Sequence, residues 1–156
     1  MKGFLAGALC ALVIGGSTAA FAQGPSAEDQ IRYRKAGYSF MAWNLGKIKE
    51  QAIDGSVAFD AAQVQAAANA IAGVANSGMG ALFGPGTDKN VGSQVTNVKP
   101  ELFQNFPDVA VLGNNLSTAA TRLAEVAATG DQAQIRTAFG ELGQTCKACH
   151  DKYRKR

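Results

Sequence analysis

Apolar residues return along most of this chain at alternating steps of three and four, the spacing that gathers them on one face of an α-helix. No stretch keeps the two-residue alternation of a strand. Ile31, Arg34, Tyr38, Met41, Leu45 and Ile48 form a first seam. It runs to about Lys49 behind a capping box of Ser26 and Asp29 that follows Pro25. Asp60 can cap a second helix with Val64, Ala67, Ile71 and Val74 on its seam, ending at Asn76-Ser77-Gly78. A third begins near Pro107 or Asp108 and carries Val109, Leu112, Leu116, Ala119, Leu123 and Val126, with Gly130 as its stop. Asp131 with Gln134 caps a fourth, which lines up Ile135, Ala138, Phe139, Leu142, Cys146, Cys149 and Tyr153.

Four amphipathic helices predict an all-α fold, an antiparallel four-helix bundle. Thr129-Gly130-Asp131 is so tight a join that helices three and four must be antiparallel neighbours. Helices two and three are separated by a long loop, Met79 to Phe106, containing Gly84-Pro85-Gly86 and Pro100. Loops of that length are functional or disordered. Leu82, Phe83, Leu102, Phe103 and Phe106 argue for a packed one.

The first 22 residues follow another pattern. Lys2 precedes an apolar run from Phe4 to about Gly16, and Ala20-Phe21-Ala22 ends the segment. This predicts a secretory signal peptide cleaved after about Ala22, leaving one domain over 23–156. The run is shorter than the roughly 20 residues of a membrane span, so no stable membrane anchor is expected. Cys10 would leave with the signal. The whole chain is 47% hydrophobic and 17% charged, a globular composition. Without Lys2 it carries 14 basic and 12 acidic side chains, too small a bias to predict nucleic-acid binding.

Two cysteines then remain, in Cys146-Lys147-Ala148-Cys149-His150. A disulfide across two intervening residues would close a trivial loop and stabilise little. A zinc site needs four ligands, and His150 is the only histidine. A thioredoxin-like dithiol wants a βαβ setting that this chain lacks. C-x-x-C-H is instead the attachment sequence of a covalent haem c: two thiols add to the porphyrin edge and the next residue turns its imidazole to the iron. On a helix Cys146, Cys149 and His150 share a face, and that face is the core seam. With no second histidine, the iron's other side is left to Met, Lys, Tyr, water or nothing. Arg34 occupies a seam position where a charge needs a partner, and a haem propionate would supply one.

The chain resembles cytochrome c′, the high-spin periplasmic four-helix haem proteins of bacteria. The resemblance rests on Arg136 to Arg154 around C-x-x-C-H, Tyr33-Arg34 with Met41, Phe83-Gly84-Pro85-Gly86 and Lys99-Pro100-Glu101. It implies one haem c, with Cys146 and Cys149 as thioether links and His150 as axial ligand. It places Tyr38, four residues after Arg34, where low-spin relatives carry a ligating methionine, so that Tyr38, Met41 and Phe83 would line a distal pocket beside a five-coordinate iron. It sets Lys35 and Glu101 with Arg34 by the haem edge. It also sets Arg154 on the proximal side, one turn beyond His150. The function implied is binding of nitric oxide and carbon monoxide together with single-electron transfer to a redox partner protein of unknown identity, in a periplasmic homodimer that is no enzyme. The alternative is a low-spin electron carrier with Met41 as the sixth ligand.

Overall fold

The computed structural model describes residues 24–155; the expected signal peptide, with Cys10, lies outside them. Four long helices are present: α1 Ala27–Ile48, α2 Ala61–Ala75, α3 Phe106–Ala127 and α4 Gln132–Tyr153. α1 packs on α2, α2 on α3 and α3 on α4, as an antiparallel bundle requires. The fourth seam, α1 against α4, has no comparable packing; α4 meets instead the wide π turn Lys49–Ile53 that continues α1.

The helices start where side-chain caps allow. Ser26 Oγ accepts from Asp29 N at 3.1 Å, and Asp60 and Asp131 each accept from two backbone N–H groups of their first turns. α3 begins at Phe106, one residue ahead of Pro107, with Asn105 making no side-chain cap. Gly130 turns α3 into α4 with φ +72°, a value that only glycine adopts freely. α1 ends at Ile48, close to its expected end, and the π turn Lys49–Ile53 carries the helical path on; Arg136 Nε of α4 donates to Ala52 O in that turn at 2.5 Å.

The core belongs to one half of the bundle. Met41, Ile48, Val64, Ala67, Ile71, Leu123, Ile135 and Leu142 are buried there together. Toward the other end the seam residues Val109, Leu112 and Leu116 are only half-buried, and Tyr38 is 38% exposed. The long loop is packed, as its apolar residues predicted. It forms short 3₁₀ turns at Met79–Leu82 and Pro100–Gln104, buries Leu102, and leaves Phe106 exposed. It lies close to α1 at Gly37, where an added Cβ would stand 2.8 Å from Met79 Cε.

Leu123 is fully buried in the last turns of α3. Leu123→Ala should therefore cost about 3 kcal/mol from lost burial and the cavity it leaves. A urea titration should show the midpoint falling with the slope unchanged.

Candidate functional site

The last turns of α4 carry the sequence's chemistry. Cys146 and Cys149 are half-buried, i and i+3 on the inner side, while His150 sits on the flank and is exposed. At about 100° per residue, Cys149 and His150 stand about 60° and 40° to either side of Cys146, so the three lie on one broad side of α4. Burial pushes both thiols up, and at Cys149 the charge of Asp108 adds to it. A reactive dithiol needs the opposite shift, so a thioredoxin-like pair is a poor account of this C-x-x-C. Burial, then the charge of Arg154, lowers the His150 imidazole, favouring the neutral form that binds metals.

Tyr38 of α1 faces these thiols across the loosely packed α1–α4 seam. Burial first, then proximity to Cys149, pushes its phenol up to about 12, with Arg34 opposing. The site is therefore a loosely packed seam with Tyr38 of α1 on one side and the two half-buried thiols of α4 on the other. That donor set fits a thiol-attached group.

The other expected residues fall into place around it, some with changed roles. Arg34 is 3% exposed and satisfied without any propionate. It donates to Leu82 O at 3.0 Å, Thr87 Oγ1 at 2.8 Å, Thr87 O at 2.6 Å and Thr96 Oγ1 at 2.7 Å. Burial lowers its pKa. Phe83 stacks on this guanidinium at 4.7 Å from its ring centre, one turn before Tyr38. Met41, one turn after Tyr38, is 3% exposed inside the apolar core. Lys35 Nζ reaches Gln94 Oε1 at 3.5 Å, and Glu101 is exposed in the second 3₁₀ turn. Arg154 is not on the His150 face of a helix, as expected from the i+4 spacing. α4 ends at Tyr153, and Arg154 is extended (φ −107°, ψ 130°) because it pairs with Val98 in a one-residue β-bridge.

Several residues that set this geometry have no helical period to reveal them. Thr87 and Thr96 are buried loop threonines. Gln30 Oε1 accepts from Gly84 N, and Glu28 Oε1 from Ser93 N, pinning the loop to the start of α1. Asp108 on α3 accepts from Tyr153 Oη at 2.6 Å and Lys152 Nζ at 3.0 Å, tying α3 to the end of α4.

A four-helix bundle with C-x-x-C-H closing its last helix defines a class, the bundle-type c-type cytochromes. Comparison with known proteins narrows it. The family model described as Cytochrome C′ matches residues 29–154. The cytochrome c′ of Allochromatium vinosum is 55% identical over 99% of both chains. A solved cytochrome c′ with an unusual ligand-controlled dimer dissociation is 57% identical, with a TM-score of 0.82 over 86% of this chain and all of its own. A nitric oxide complex of a variant cytochrome c prime from Alcaligenes xylosoxidans is 30% identical, with a TM-score of 0.74 over 86% of this chain and all of its own. This chain belongs to the cytochrome c′ family, and its cofactor is one covalent haem c.

The Asp108 tie makes a prediction in acid. Its hydrogen bond from Tyr153, then Lys152, holds the carboxyl below the usual carboxylate range. A depressed folded pKa gives stability that is present above the unfolded value near 3.8 and lost as pH falls through the folded one. The thermal midpoint should drop below pH 4 in the wild type. Asp108→Asn should start lower at neutral pH and fall less steeply in acid.

Proposed function

We propose that the chain is a periplasmic mono-haem cytochrome c′ with a five-coordinate, high-spin iron, which binds small gases such as nitric oxide and carbon monoxide and passes single electrons. In this reading Cys146 and Cys149 hold the haem by thioether bonds and His150 is the axial ligand. The carrying observation is that Tyr38, at the position where low-spin members of the family carry a ligating methionine, lies close enough to Cys146 and Cys149 to feel their charge. When bound, the haem supplies an iron that cycles between ferric and ferrous and takes a gas at whichever position the protein leaves open.

The protein's own residues set the terms. Tyr38 is uncharged at physiological pH, since its phenol is pushed up to about 12, so it offers no phenolate and acts as a wall. Met41 is held in the core by its neighbours and would have to leave them to ligate. The slot is apolar, which admits small neutral molecules and disfavours anions. Arg154 places a positive charge beside His150. Lys35 and Glu101 stand at the rim as haem-edge residues by likeness to the family. The nitric oxide complex of the Alcaligenes xylosoxidans protein supports gas binding in a chain of this fold. Export is supported by coverage: solved chains matched over their full length span 86% of this one, about what remains after 22 residues are removed. The reading is of a carrier and binder, as in the family that the chain matches.

The absorption spectrum of the dithionite-reduced holoprotein is the test. A broad, unsplit visible band is expected in the wild type and unchanged in Met41→Ala. Sharp, separate α and β bands in the wild type, lost in Met41→Ala, would replace this reading with the low-spin electron carrier.

A homodimer belongs to the same proposal. On the outer side of α1, Phe40 and Trp43 are 47% and 59% exposed, with ring centres 5.6 Å apart. Paired aromatic surface of this kind suits a partner helix. Sedimentation of the holoprotein should give a dimer, Trp43→Glu a monomer, and carbon monoxide should shift the ferrous wild type toward monomer, as the ligand-controlled dimer of the 57% identical relative suggests.

A further inference from the structure

The end of α4 is the place where a helix is least secure. Its last carbonyls have no partner within the helix and must find donors elsewhere. His150 O takes the N–H of Arg154 at 3.1 Å. The next three all depend on one residue of the long loop. Lys99 Nζ donates to Asp151 O at 3.3 Å and Lys152 O at 3.1 Å, and Lys99 N donates to Tyr153 O at 2.8 Å. Lys155 N completes the bridge by donating to Asn97 O at 2.7 Å. A cation at a helix C-terminus also meets the negative end of its dipole. The turn that carries His150 is thus capped by the stretch Asn97–Lys99.

That stretch is held in turn from the opposite wall. Thr96 is 7% exposed, and its Oγ1 uses both lone pairs as an acceptor, from Arg34 NH2 at 2.7 Å and from Val98 N at 3.3 Å. Arg34 lies on α1, one turn before Tyr38. A continuous run of hydrogen bonds therefore leads from the distal helix through Arg34 and Thr96 to the cap of the helix that carries His150.

We infer that Thr96 and Lys99 are positioning residues for the proximal histidine, and that Arg34 ties that histidine's helix end to α1, so that the two faces of the haem are set by one clamp. The inference rests on His150 being the iron ligand. It assigns the long loop a second task besides closing the slot: it fixes the direction from which His150 approaches.

Two readouts on the ferrous holoprotein decide it. One is amide hydrogen exchange at Arg154 and Lys155; the other is the iron–histidine stretching band in resonance Raman. Thr96→Val keeps the shape and removes the one oxygen that accepts both bonds, and should speed exchange at the two amides about tenfold, the effect of about one net buried hydrogen bond. It should also shift or broaden the iron–histidine band. Thr96→Ser should restore both readouts. Lys99→Met, which leaves the Arg34 cage untouched, should move them in the same sense. Faster exchange with an unmoved band in both variants would reduce Thr96 and Lys99 to structural residues and overturn the inference, as would no change in either readout. A wild-type protein without the band would remove the five-coordinate reading instead, while the exchange rates would still decide whether Thr96 secures the end of α4.

Discussion

A guanidinium removed from water must be surrounded by acceptors, because an uncompensated buried charge costs several kcal/mol. Arg34 meets that requirement by drawing in a loop from far along the chain: Leu82, Thr87 and Thr96 lie 48 to 62 residues away. Much of the loop's order rests on this. Thr87 Oγ1 both accepts from Arg34 and donates to Gly84 O, which closes the Gly84–Thr87 turn, and Phe83 lies flat on the guanidinium. All four acceptors are neutral oxygens, so the cage spreads the charge over dipoles. It does not cancel it with a carboxylate.

The same cage explains why one half of the bundle has a well-packed core and the other a slot. From Met41 onward α1 contributes residues to a common apolar cluster with α2, α3 and α4. Before Met41 it is engaged with the loop through Arg34 and with Met79 through the close approach at Gly37. α1 is therefore held by the loop where it could otherwise close on α4. Tyr38 stands at the boundary between the two regimes, and the half-buried thiols of α4 face it.

Helices and caps were legible because they obey local rules. Three aspartate or serine caps and the Gly130 stop are where periodicity puts them, and seam residues such as Ile31, Met41, Ile71, Leu123 and Leu142 are buried. The attachment motif was legible because its chemistry demands contiguous residues. The loop's internal wiring was not. Thr87, Thr96 and Gln30 are short or flexible polar side chains whose partners are set by tertiary folding, and no spacing marks them. The loop acceptors of Arg34 were hidden for the same reason: its burial was predictable, but which protein oxygens would reach it was not. Arg154 was assigned to a continuing helix because its i+4 spacing from His150 says nothing of a strand arriving from residue 98.

The contrast between Tyr38 and Met41 shows how one helical turn separates two possible fates of the iron in the proposed reading. Successive seam positions on α1 rise about 5 Å along the axis. A side chain at the level of Tyr38 faces the thiols, whereas one at the level of Met41 is surrounded by Ile48, Val64, Ile71 and their neighbours. Methionine's flexibility does not help it reach back, because leaving the core would expose an apolar cavity and cost about 2–5 kcal/mol. A tyrosine at the facing level has the opposite difficulty: it has the position, but its phenol is pushed up to about 12 and it holds its proton. Neither is suited to close the iron's second side, one for reasons of packing and the other of acidity. In the proposed reading, an open site is then what the register of α1 would leave to a small neutral ligand.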